Sequence, residues 1–189
     1  MFGQYCGLAR ALELVGERWA LLVVRDLVLG PKRFTDLRRG LPRIPTNVLS
    51  ARLRELEDVV LRLGRWGARS LGEPRPEDVL TPDSLVLALR ATFRPEAARG
   101  LRASYELRAG EVVVHARVDD GALEAAEGPL AGADLVLETG PALKALMAGD
   151  LGPAEAVESG AVRLVGDPEL LARFVELFRV GPAPLARSA

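Results

Sequence analysis

Asn47, Ser50, Ala51 and Arg54 stand at i, i+3, i+4 and i+7, the spacing that puts four side chains on one face of a helix. Asn and Arg make paired hydrogen bonds to adenine and guanine edges. Ser and Ala are small enough to let a helix approach closely. Val48, Leu49, Leu53 and Leu56 form the opposite, apolar face. Segment 47–57 therefore has the two faces that a major-groove reading helix needs, one packed on its own module and one turned to base edges. Arg52 flanks the polar face within reach of phosphate. Lys32, Arg33 and Thr35 cluster at the start of the preceding helix, where free backbone N–H groups also favour a phosphate. The plainer alternative is a solvated helix face carrying ordinary charges.

The elements that must position this face are legible nearby. Leu8, Ala11, Leu12 and Val15 predict a helix over 5–15, closed by Gly16. Residues 17–29 predict a second helix, apolar on most sides, which places it at the centre of the module. Thr35 is expected to cap a short third helix that Gly40 and Pro42 end, and Thr46 to cap a fourth running from Asn47 through at least Glu57. Two short capped helices across a tight Gly/Pro turn form a helix-turn-helix. Residues 58–71 continue in helical style, and Gly72-Glu73-Pro74-Arg75-Pro76-Glu77 then breaks the pattern.

The charge divides the same way. Residues 1–72 carry 13 Lys and Arg against 7 Asp and Glu, while 73–189 carry 12 against 19. A basic first part beside an acidic second part puts any polyanion contact on the first. Hydrophobic residues make up 49% of the 189 and aromatics 5%, so a core built mainly of Leu, Val and Ala is expected. The single cysteine, Cys6, permits no internal disulfide and fits a reducing cytoplasm. No signal-peptide pattern is expected at the start, nor any membrane span.

After the break, Pro82 and Asp83 open a helix over 83–92. Segments 101–107 and 111–118 follow, the second a β-branched strand. Asp119-Asp120-Gly121 reads as a hairpin turn, with further strands at Leu123–Glu127, Ala133–Glu138 and Ala161–Val165. Helices are expected from Pro141 to Gly149, over Pro153–Glu158, and from Asp167-Pro168 to about Phe178. The fold class is α+β: a helical helix-turn-helix domain (1–72), a linker (73–79), an antiparallel sheet domain with helices on one face (80–180), and a disordered tail (181–189). The one histidine, His115, lies in a strand and reads as structural. One His and one Cys cannot make the usual zinc sets, no Ser/His/Asp motif is present, and no cofactor site is apparent, so no enzyme is expected.

The runs Cys6–Trp19, Leu29–Arg38 and Asn47–Glu57 together resemble the HxlR family of bacterial winged-helix transcription regulators, over residues 5–57 nearly without a gap. The resemblance implies a homodimeric repressor or activator on a pseudo-palindromic, double-stranded DNA operator. It also implies a dimer built from the segments at 5–15 and 58–71. Cys6 coincides with a cysteine that many such regulators carry, which implies a redox-sensing role; the alternative is a small buried interface residue. One departure stands out. The family places a two-stranded wing after its reading helix, whereas here Glu57 runs directly into Asp58–Gly67, which looks like the post-wing helix.

Residues 80–179 resemble the sterol-carrier-protein-like fold. This is carried by Ala133–Glu138 and its following helix, by Gly149–Gly160, and by Val162–Asp167 and its following helix. The resemblance implies an apolar ligand between sheet and helices, with Leu85, Leu89, Phe93, Leu143, Met147, Leu170, Phe174 and Phe178 as lining candidates. Alternatively those residues simply fill a core. The expected function is a cytoplasmic, dimeric DNA-binding regulator whose second domain either binds a small apolar effector that favours one dimer geometry or helps the chain dimerise. The alternative is an apolar-ligand carrier that lost DNA binding with its wing.

Overall fold

The computed structural model describes residues 15–17, 19–69 and 78–181. Nearly all of the helix expected over 5–15, Cys6, most of the 73–79 linker and the tail beyond 181 lie outside these residues. The chain divides into two compact units, Met1–Arg62 and Leu63–Ala189.

The first unit contains α1 (Ala20–Val28), α2 (Phe34–Gly40) and the start of α3 (Thr46–Ala68). Arg33, rather than Thr35, occupies the N-cap of α2, and Asp36 accepts the Arg33 backbone N–H at 3.3 Å. The start shifts because the Phe34 ring packs on the apolar cluster around Val23 and Leu37, which draws that residue into the first turn. Thr46 is likewise the first residue of α3 rather than its cap. That helix runs unbroken for 23 residues, about 34 Å at 1.5 Å per residue. Among the described residues up to Arg69 no strand occurs, so the reading segment passes into the following helix with no wing hairpin between them. The division between the two units falls inside this helix.

The second unit begins with the last turns of α3. There the Arg65 guanidinium donates to the carbonyls of Ala91 (2.5 Å) and Phe93 (3.2 Å), at the carboxyl end of α4 (Pro82–Thr92). Such carbonyls have no partner within their own helix. The start of α4 is capped by Thr81 and Ser84, each backbone N–H donating to the other's hydroxyl at 3.0 and 3.2 Å. A short 3-10 turn, Pro95–Ala98, precedes the sheet.

The sheet has five strands: β1 (Arg102–Ala109), β2 (Val112–Asp119), β3 (Ala122–Glu127), β4 (Leu135–Thr139) and β5 (Val162–Gly166), in the order β3-β2-β1-β4-β5. At the β2–β3 turn Asp120 and Gly121 both have positive φ (46° and 87°), the pair of conformations a two-residue hairpin loop demands. Three pairings are antiparallel, as expected, but β1 and β4 pair in parallel, from Tyr105↔Leu135 to Arg108↔Glu138. The meander β1-β2-β3 grows to one side of β1. To add β4 on the other side, the chain crosses the outer face of the sheet through residues 128–134, and β4 enters alongside β1 in the same direction. Three helices complete the unit: α5 (Ala142–Ala148), α6 (Pro153–Glu158) and α7 (Glu169–Leu177).

Strand alternation gives the sheet one dry face. Ala103, Tyr105 and Leu107 of β1, Val114, Ala116 and Val118 of β2, and Leu135 and Leu137 of β4 are buried in one cluster with α4, α5 and α7. The opposite face carries Glu106, Arg108, Arg117, Glu138 and Arg163. Glu106 is nonetheless only 2% exposed, because the 128–134 crossing lies over it. Its carboxylate accepts the Leu130 backbone N–H at 2.6 Å and pairs with Arg108 at 2.6 Å. His115 lies in the same region, its Nδ1 2.9 Å from the Gly128 carbonyl.

Burial by itself would raise the Glu106 pKa, but the Leu130 N–H, Arg108 and His115 outweigh it and hold the carboxyl below its usual value of 4.5. Its stabilising contribution is thus complete above the ordinary carboxylate range and lost as pH falls through the lower folded-state value. Glu106→Gln should cost roughly 2 kcal/mol at neutral pH. Denaturant melts taken across the acid range should show stability falling more steeply with pH in the wild type than in the variant. Parallel profiles would remove Glu106 from this role.

Candidate nucleic-acid interface

The reading helix is held by a small apolar core of its own. Val23 of α1, Leu37 of α2, Leu41 and Ile44 of the turn, and Leu49 of α3 are buried together, with Trp19, Leu22, Phe34, Val48, Leu53 and Leu56 packed around them. Leu49 is fully enclosed. This one face of α3 fixes which side of the helix is left for contact. At the end of α2 a side chain on Gly40 would place its Cβ 2.8 Å from the Asp26 carboxylate. That carboxylate is buried and held by Arg25 at 2.7 and 2.9 Å. A glycine there lets α2 close against α1.

On the outer side of α3, Thr46, Asn47 and Arg54 are exposed, and Ser50 and Ala51 are half-buried. No acidic residue stands in the first helical turn, so nothing opposes the partial positive charge of the exposed amides there. Lys32, Arg33 and Thr35 are exposed at the start of α2, and the Arg33 amide is occupied by Asp36. Arg52 is partly exposed at the flank of this side. Its side chain is 19% exposed and its guanidinium is paired with Glu55 one turn on. That pairing directs it along the helix. Arg38 on α2 and Arg43 in the turn are exposed on the same unit. Their types add to the basic count of the first part, but the helix-face pattern, which reads only α3, passes over them.

The eight residues expected to line an apolar site come together in the second unit. Leu85, Leu89, Phe93, Leu143, Met147, Phe174 and Phe178 are buried, and Leu170 packs at the edge of the same cluster. Phe93 and Phe174 lie 5.7 and 4.8 Å from Phe178, ring centre to ring centre. In this conformation they fill the core. A separate, open cleft of about 430 Å³ on the outer side of the sheet is lined by Arg108, Glu138, Thr139 and Arg163 with Gly110, Gly160 and Ala161. It is polar and includes none of the eight. Among the described residues no cluster of three His, Cys, Asp or Glu side chains is placed to hold a metal, and no helix is long and apolar enough to cross a membrane.

The HxlR-like helix-turn-helix family profile matches residues 14–67. An uncharacterized HTH-type transcriptional regulator of Mycobacterium bovis is 56% identical over 52 residues, which cover 28% of this chain and 32% of that protein. The chain thus spans about a third of the length of that curated relative. Among solved structures, the stereoselective inverting sec-alkylsulfatase Pisa1 from Pseudomonas sp. aligns over 91% of this chain and 29% of its own, at 22% identity and a TM-score of 0.50. That likeness is one of fold. Palmitated SCP2L2 from Aedes aegypti aligns over 50% of this chain and 86% of its own, at 23% identity and a TM-score of 0.35. Residues 14–67 are therefore an HxlR-like helix-turn-helix, placed ahead of a five-stranded sheet unit in an α+β chain.

The geometry separates residues that hold the reading helix from residues that face outward. Leu49→Ala should destabilise the first unit by about 3 kcal/mol through the cavity it leaves, and Asn47→Ala should stay within about 0.5 kcal/mol of wild type. Urea titrations followed by circular dichroism measure both. Similar losses in the two variants would mean that Asn47 is part of the scaffold.

Proposed function

We propose that this chain is a homodimeric, HxlR-type transcription regulator that reads operator DNA with the first half of α3. The observation that carries the reading is the division of that helix. Asn47 and Arg54 are exposed on one side while Leu49 is locked into the core on the other, within the segment that matches the helix-turn-helix family. Asn47 and Arg54 read base edges, and Lys32, Arg33, Thr35 and Thr46 contact phosphate. Arg52, held by Glu55, positions the helix surface instead of gripping phosphate. The protein acts in the cytoplasm and carries out no chemistry of its own.

The second copy docks on the later part of α3. Val60, Leu63 and Trp66 are 47, 61 and 66% exposed, a run of large apolar side chains that a lone monomer would leave in water. The second unit is where control enters, through an apolar molecule that binds between the sheet and its helices and favours one dimer geometry. A second reading, an apolar-ligand carrier without DNA binding, is favoured by one feature: α3 is unbroken where a wing would supply further DNA contacts.

A gel shift on the DNA upstream of the protein's own gene, run across a salt series, tests the main reading. Binding should weaken steeply with salt. Arg54→Ala should cost tenfold or more and relax preference at one base pair, whereas Lys32→Ala should weaken all sequences alike and lower the salt slope by about one. A folded dimer that fails to bind at low salt sinks this reading in favour of the carrier. For the dimer, the double substitution Leu63→Glu and Trp66→Glu should convert the sedimenting species to monomer. An unchanged dimer places the interface elsewhere.

A further inference from the structure

Tyr105 is fully buried, and its hydroxyl is, among the described residues, the one buried side-chain polar atom without a hydrogen-bond partner. The other enclosed polar side chains of the unit are satisfied. Thr92 donates to the Ala88 carbonyl at 2.7 Å, and Glu106 is held by Leu130 and Arg108. Buried hydroxyls are nearly always paired, and one left alone marks a water, an ion or a ligand that belongs there. The position of Tyr105 is also specific. It points from the middle of β1 to the dry side of the sheet, 5.5 Å from the Phe174 ring and 6.3 Å from the Phe178 ring, and both rings belong to the apolar set assigned above to ligand control.

We infer that the Tyr105 hydroxyl is the polar anchor for that ligand, and that the ligand is an apolar molecule with one neutral, hydrogen-bond-accepting oxygen, such as a long-chain ketone or alcohol. This rests on the apolar-ligand reading and narrows it. Tyr105 serves as the donor, because burial pushes its pKa up to about 12 and Asp134 adds to the shift while Arg173 partly offsets it. The phenol therefore keeps its proton at any physiological pH. An accepting oxygen is what the site lacks. The acceptor is neutral because the adjoining rings are hydrocarbon, where an ionised carboxylate would be far costlier to bury than a carbonyl, and because the Asp134 carboxylate acts on the same hydroxyl and would repel a second negative charge. The guanidinium that could offset that cost, Arg173, is already engaged by the Ala97 carbonyl and Glu176.

The test compares the full chain with Tyr105→Phe, using 2-decanone, decane and decanoate in competition with a fluorescent apolar probe. The expected result is that 2-decanone binds the variant about tenfold more weakly than wild type, the loss of one hydrogen bond in a dry site, while decane binds both alike. Equal binding of 2-decanone by both proteins overturns the anchor and leaves the apolar-ligand reading standing. A larger loss for decanoate than for 2-decanone overturns the neutral class. Failure of wild type to bind any of the three removes the apolar-ligand reading, and the inference with it. Without ligand, Tyr105→Phe should melt no lower than wild type; a clear fall would show that a bound water already satisfies the hydroxyl, and overturns the inference. The 13Cζ resonance of Tyr105 in wild type gives a reading independent of the variant. It should move on adding 2-decanone and stay still with decane, and no movement with 2-decanone counts against the anchor.

Discussion

One unbroken run of backbone hydrogen bonds, Thr46 to Ala68, sets the terms for the rest of the chain. A helix that long has two separate duties here. Its first turns are held by Leu49 among the helices of the first unit. In its last turns Arg65 caps the carboxyl end of α4 in the second. A wing would separate those duties by a flexible hairpin. Without one, the residues that face outward at Asn47 and Arg54 and the residue that grips α4 are parts of one continuous helical segment in the sequence. Its interior contains no proline, and its glycines, Gly64 and Gly67, lie beyond the reading segment. Helix propensity is thus strongest in the part where a reading face must stay straight.

Local chemistry made most of the elements legible, and long-range pairing did not. Asp119-Asp120-Gly121, Pro153 and Gly149 each act through φ values that the residue type itself favours, so the hairpin and two helix limits could be read from a few neighbouring residues. Thr35 and Thr46 show where local reading slips by a position or two. A threonine is a good cap, but burying Phe34 outweighs the capping preference and starts α2 earlier. The parallel pairing of β1 with β4 was beyond reach because no residue in either strand encodes direction; it follows from where the 128–134 crossing goes.

The candidate site was legible to a similar depth. The spacing of Asn47, Ser50 and Arg54 fixes a face, since periodicity is a property of the helix alone. Which charges on that face stay available is a question of partners: Glu55 stands three residues after Arg52, a spacing at which helix side chains pair, and the two do pair. Glu106 and Tyr105 show the limit of such local reading in adjacent positions. Alternation along β1 sends one to each side of the sheet, but it cannot tell that a crossing segment covers the glutamate, or that the tyrosine hydroxyl is left without a hydrogen-bond partner.

The two sides of that sheet differ in what the proposed apolar ligand would have to displace. On the outer side, Arg108 is paired with Glu106 on its own strand and with Glu138 on the neighbouring one, and Leu130 is fastened over them. Admitting an apolar molecule there would expose a buried carboxylate to hydrocarbon, which costs more than the contact could return. On the inner side, the end of α7 is tied to the end of α4 by two backbone hydrogen bonds, Arg94 N–H to Leu177 and Arg179 N–H to Thr92, beside the contact between Phe93 and Phe178. The Arg65 guanidinium on the Ala91 and Phe93 carbonyls adds a polar tie at the same end of α4, and the remaining contacts there are mainly apolar. The aromatic side of the sheet is therefore where a polar group stands without a hydrogen-bond partner and where the surrounding contacts are mainly apolar.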